Sequence, residues 1–203
     1  MLAIIIEHEG RRPRVHASAY VAPTAVLCGD VAVGANTSVF FGAALTAEGG
    51  TVELGDECVV MENAVLRGTQ RHPLRIGTHV LIGPGAHLSG CTMEDNVFVA
   101  TGATVFNGAR LSAGSEVRVH GVVQVNSVLP PHAVVPIGWI AVGDPAQVLA
   151  PNEHEHIWAI QRELHFPRTV FGLERTPEGE SIMPELTRRY TRALLRHMED
   201  QQI

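Results

Sequence analysis

Aliphatic side chains recur at every sixth position along most of the chain, beginning Val15, Val21, Leu27, Val33, Val39 and Leu45. After a short insertion the series resumes at Leu54, Val60 and Leu66, and after a second (residues 68–75) at Ile76, Ile82 and Leu88. One five-residue step then leads to Met93, Val99, Val105, Leu111, Val117, Val123, Leu129 and Val135. Most of these positions are followed four places on by a small residue, as at Ala25, Ala43, Ala64, Ala86, Ala103 and Ala109. Helices repeat their apolar positions every ~3.6 residues and half-buried strands about every two, so neither accounts for a period of six. Such a period predicts a unit stacked on itself. Each hexapeptide supplies a short strand and a turn with the small residue at the bend, three close one triangular coil, and coils hydrogen-bond at ~4.8 Å. The ladder makes six to seven coils, so the expected fold is an all-β parallel β-helix.

Beyond the ladder the pattern changes. Asn152 is placed to cap a helix over residues 153–164, with Pro167 as its stop, and Leu186, Tyr190, Leu194 and Leu195 give residues 183–198 helical spacing. A polar stretch (174–181) separates the two. We therefore expect a β-helix domain over 1–150 and a C-terminal helical extension over 151–203, its α-helices packing along the β-helix or a neighbouring subunit.

Composition narrows the function. The formal charge of -6 argues against nucleic acid or an anionic membrane as partner, since binding phosphates needs clustered Lys and Arg. The apolar run at residues 2–6 is too short for a signal core or a membrane span. Cys28, Cys58 and Cys91 are odd in number and lack CxxC spacing, which predicts reduced thiols and a cytoplasmic setting.

Three segments resemble the γ-class carbonic anhydrases of the hexapeptide-transferase superfamily: AVLCGDVAVGANTSVFFGA (25–43), LSGCTMEDNVFVATGATVFNGA (88–109) and GDPAQVL (143–149). The resemblance implies left-handed winding, a homotrimer and a metal held by three histidines. Through the flanking residues those three positions fall here on Arg67, Pro84 and Ser89. The family's LRGD segment reads LTAE, placing Thr46 and Glu48 at its Arg and Asp, and its NIQD segment places Met61 and Glu62 at its Gln and Asp. Zinc needs three protein donors and an open position. Arg stays protonated, Pro offers no donor and neutral Ser is a poor one, so we expect no metal at this site and no cofactor.

Counting three repeats per coil puts Thr46, Arg67, Ser89 and Phe106 on one outward column, and Phe41, Glu62, Pro84 and Thr101 on a neighbouring face. The resemblance has these faces meeting across a trimer boundary. Arg67 is then either an anchor for the carboxylate or phosphate of a small anionic ligand, or an ion-pair partner of Glu62 or Glu48. Ligand binding is assigned to Arg67, Glu62, Thr46 and Glu48. Catalytic candidates are Glu62 as a general base, Ser89 as a nucleophile, and His87 or His120 as the base the superfamily's acyltransferases use. RGTQRHPLR (67–75) is a basic rim suited to an anion such as an acyl-coenzyme A. His72 and His79 share no convincing ligand spacing, and His154 and His156 do not form HExxH.

These residues leave three readings open: a binding or scaffold protein, with 166–172 as a docking segment; a coenzyme A-dependent acyltransferase or metal-independent lyase or hydrolase; and a carbonic anhydrase with a relocated metal.

Overall fold

The computed structural model describes residues 3–174, 176–177 and 180–203. Its ladder positions stack in register as the period requires. Leu27, Leu45, Leu66, Leu88, Val105 and Val123 line one inner column. Val15, Val33, Leu54, Ile76, Met93, Leu111 and Leu129 line the second. The third runs from Val21 through Val39, Val60, Ile82, Val99 and Val117 to Val135. From Leu27 to Val123 the first column is fully buried. Burying a side chain of this size stabilises by about 1.5–3 kcal/mol, which no isolated coil achieves.

The solenoid is longer than the sequence period predicts. Ile5, in the strand Ile4–Glu7, continues the first column below Leu27, and Ala141 continues it above Val123. The resulting face has ten strands and the other two seven each. At its two ends the strands Gln201–Gln202 and Gln147–Leu149 pair antiparallel, covering edges that a bare solenoid would leave open.

The bend lies one residue earlier than expected. Gly42, Asn63, Gly85, Gly102, His120 and Gly138 all take positive φ at one corner, each three places after a ladder residue. Gly and Asn enter this region readily and His more often than most residues, so the corner explains His120 as a backbone residue. Its ring lies 2.5 Å from where a Cβ on Gly102 would stand. Phe41, Glu62, Pro84 and Thr101 stack at the same corner, their carbonyls accepting from Asn63, Gly85, Gly102 and His120.

The two insertions form a ledge. Strands Ala44–Glu48 and Val65–Thr69 stay paired for five residues, to Thr69 opposite Glu48. The chains approach so closely that a Cβ on Gly68 would sit 2.0 Å from the Thr51 carbonyl oxygen.

After residue 150 the chain turns back. Helix α1 (His154–Gln161) buries Ile157 against Val142 and Leu149. A 3-10 turn, Arg162–Leu164, carries it to the expected end, but Asn152 does not cap it. The first helical run ends before Pro167, as expected, and Pro167 then lies in the first turn of a further helix, α2 (Phe166–Phe171). The missing N–H costs nothing there, because first-turn N–H groups have no intrahelical acceptor. Helix α3 (Met183–Leu194) and a 3-10 turn, Leu195–Glu199, cover the expected amphipathic segment. Residues 175, 178 and 179 of the polar stretch lie outside the described residues, as does Leu2 of the N-terminal apolar run.

Candidate functional site

Outward residues of the ten-stranded face follow the register Ile6, Cys28, Thr46, Arg67, Ser89. Arg67 and Ser89 are therefore neighbours on adjacent strands, as their spacing implies. The ledge brings Glu48 diagonally beside Arg67, whose Nε donates to Glu48 Oε1 at 2.6 Å while an Nη contacts the same oxygen. Both side chains are largely withdrawn from solvent, Arg67 at 26% and Glu48 at 15% exposure. Glu62 sits half-buried at the corner and makes no ion pair with Arg67.

Helices α2 and α3 fold over this column and close a cleft of about 320 Å³. Its wall is a chain of edge-to-face rings, with centroids 5.8 Å apart for Phe106 and Phe166, 5.9 Å for Phe166 and Phe171, and 6.2 Å for Phe171 and Tyr190. The chain ends on Arg67, whose guanidinium carbon stands 5.5 Å from the Tyr190 ring centre. Segment 166–172 thus docks on its own β-helix.

His87 and Ser89 point into the same cleft from the strand His87–Ser89. Burial, and then the Arg67 cation, hold the His87 imidazole below its usual value, so its neutral form is favoured. Ser89 is buried at 9% exposure, and no hydrogen bond joins it to His87 among the described residues. The basic segment disperses. Arg67 turns into the cleft, Arg71 lies against Gly172, and Arg75 pairs with Glu53 on another face. His72 is anchored by the Thr169 carbonyl oxygen, 3.0 Å from Nε2, and His79 pairs with Glu57 on the surface.

A second polar group lies two rungs along, and sequence reasoning missed it. His8 and Cys28 are buried at 2% and 4% exposure. Asp200 reaches them from the C-terminal segment, Oδ1 lying 2.6 Å from His8 Nδ1 and Oδ2 lying 2.8 Å from His197 Nδ1. The two imidazoles stack with centroids 4.2 Å apart. Burial and the Asp200 carboxylate push the Cys28 thiol up to about 12, and it donates to Asp200 Oδ2 at 3.6 Å. The three-residue step from His197 to Asp200 is the local signal available in sequence; nothing there links it to His8.

No family model matches the chain. A mitochondrial γ carbonic anhydrase 1 of Arabidopsis thaliana is 32% identical over 153 residues, 72% of this chain and 54% of the relative. A probable carbonic anhydrase of Methanocaldococcus jannaschii is 30% identical over 141 residues, 70% of this chain and 85% of that protein. The crystal structure of a hexapeptide transferase family protein from Anaplasma phagocytophilum superposes with a TM-score of 0.54 at 27% identity, covering 79% of this chain and 92% of that one. The chain spans about half the length of the Arabidopsis relatives.

Proposed function

The chain belongs to the γ-class carbonic anhydrase family of hexapeptide-repeat proteins, and from that premise we propose that it binds a small anionic ligand where the family holds its metal. The observation that carries this is Arg67 at the polar end of an aromatic-walled cleft. The residues at the three ligand positions do not fit zinc: Arg67 is a cation already paired with Glu48, Pro84 has no donor, and Ser89 is neutral. No metal-activated water is assigned to them. An arginine fork suits a carboxylate, and the four rings suit an apolar body attached to it. At about 320 Å³ the cleft is near the lower end of the ~300–1,000 Å³ usual for small-molecule sites, which favours a small carboxylate over a whole coenzyme A.

One observation favours a catalytic reading of the same cleft. A neutral imidazole at His87 is a competent general base for acyl transfer or hydrolysis. Glu62 and His120 do not line the cleft within one chain.

The homotrimer remains part of the proposal. It is supported by a column of exposed apolar side chains on a seven-stranded face, Tyr20, Leu81, Phe98 and Val134. Three free, buried thiols support a reducing compartment such as the cytoplasm. No helix among the described residues is long and apolar enough to cross a membrane.

The test is calorimetric titration with benzoate, hexanoate and acetyl-coenzyme A, alongside a turnover assay for ester and thioester substrates. Binding of a carboxylate that weakens at least about tenfold in Arg67→Ala is expected, since hydrogen bonds to charged groups contribute about 1.5–3 kcal/mol. Equal affinity in the variant rules the reading out. Turnover lost in His87→Gln would make the site catalytic.

A further inference from the structure

The donor groups of His8, Cys28, His197 and Asp200 all lie within 4.8 Å of one another. They come from opposite ends of the chain. His8 follows the first strand of the ten-stranded face, Cys28 ends the next strand up, and His197 and Asp200 belong to the segment that returns after α3. We propose that these four side chains form a structural zinc site that fastens the C-terminal segment to the first coil.

The donor set is the first argument. Two imidazole nitrogens, one thiolate and one carboxylate are the ligand types zinc takes, and four protein donors complete a tetrahedron with no position open for water or substrate. Such a site holds structure and performs no hydrolysis. The charge also closes. One thiolate and one carboxylate neutralise the dication, so the complete complex is neutral and its burial carries no net charge. On binding, the Cys28 thiol gives up its proton to solvent, and the imidazole nitrogens facing Asp200 give up any proton they carry.

The geometry needs a local rearrangement of side chains and leaves the backbone in place. Ligand atoms around a tetrahedral zinc are about 3.3 Å apart for metal–donor distances of about 2.0 Å. Asp200 lies 2.6 and 2.8 Å from the two imidazoles while the four donors span up to 4.8 Å, so side-chain torsions must open the close pairs, draw in the wide ones and splay the stacked rings for all four to converge on one ion. Asp200 makes that shift through its side chain, its backbone being held between the 3-10 turn Leu195–Glu199 and the strand Gln201–Gln202. The surroundings already fix the ligands. His8 is locked by reciprocal backbone bonds with Arg11, at 3.1 and 3.0 Å, and Glu9 stands 3.9 Å from its outer nitrogen, beyond hydrogen-bonding distance. Arg196 bonds Glu9, and the Ile203 amide bonds the Ile5 carbonyl, so both chain ends are brought together independently of the ion.

Elemental analysis of the full chain, purified without a histidine tag or chelator, should find about one zinc per chain. After stripping with EDTA, cobalt(II) should give the strong visible bands of a tetrahedral centre with a near-ultraviolet thiolate charge-transfer band. Cys28→Ser should lose the charge-transfer band, and His197→Ala should weaken zinc binding at least about 100-fold, beyond the 10–100-fold seen when only outer-shell partners are lost. Arg67→Ala should leave both spectra unchanged, which separates this site from the ligand cleft. Absence of stoichiometric zinc, a weak octahedral cobalt spectrum in the wild type, or zinc affinity unaltered in His197→Ala would each overturn the assignment.

Discussion

One outward column of the ten-stranded face carries two regions of opposite chemistry. At Cys28 the neighbours are two imidazoles and a carboxylate, all able to give electron pairs to a cation. Two rungs along, the column presents Arg67, a fixed cation, facing Glu48 and an aromatic wall. The backbone is the same in both, a parallel ladder that sets each outward residue in register with the next. What differs is the cover. The 3-10 turn Leu195–Glu199 and Asp200 bring donors to the first region, whereas α2 and α3 bring rings to the second. A repeat scaffold fixes where a side chain stands, and the segment folded over it decides what that side chain can do.

The comparison breaks entirely if the shared ladder fails. Leu66 lies fully buried directly beneath this column, so Leu66→Ala should cost about 2–5 kcal/mol in urea unfolding and loosen both regions together. A variant that lost only the cleft would show that the regions do not share one folded unit.

Glu48→Gln sharpens the contrast by acting chiefly on one region, since Glu48 is paired with Arg67 and reaches Cys28 only as the smallest of the influences on its thiol. It leaves the Arg67 cation without its counter-charge, with an expected loss of about 1–3 kcal/mol, between the values for exposed and buried pairs. The freed guanidinium should bind benzoate more tightly than in the wild type, while cobalt binding at Cys28 changes far less, because Glu48 is the smallest of the influences on that thiol. Weaker benzoate binding would mean that Glu48 belongs to the ligand site and does not compete with it.

The smallest expected effect is a pH dependence at His87. Its folded value is depressed by burial and by Arg67, so the unfolded chain takes up a proton near pH 6.5 that the folded chain refuses. The stability this provides is fully present above about pH 6.5 and is lost as pH falls towards the lower folded value. Unfolding midpoints between pH 5 and 8 should fall less steeply with acid in His87→Gln. Identical profiles would place His87 in contact with solvent.

Much of the fold was legible because the repeat is a local code. Every ladder residue from Val15 to Val135 stands where the period of six put it. The added rungs at Ile5 and Ala141 were hidden because Ile5 is isolated from the series by an irregular turn and Ala141 is too small to read as a ladder position. The bend was placed one residue late because small side chains signal the inside of the corner, while positive φ is carried by Gly, Asn and His just before them. Helix α2 was hidden because a proline that ends one helix pattern can equally stand in the first turn of the next.

The site divides along the same line. That Thr46, Arg67 and Ser89 are neighbours follows from counting repeats, because parallel pairing repeats the same spacing on every coil. Arg67 choosing Glu48 over Glu62 does not, since it depends on the ledge that the two insertions build together. The closure of the cleft by α2 and α3, and the meeting of His8 with His197 and Asp200, are contacts between residues far apart in sequence. The sequence by itself determined the solenoid, because hydrogen bonding between identical units is a local rule applied many times. Only the tertiary structure decided the chemistry on its face, because that rests on where one non-repeating segment comes back to lie.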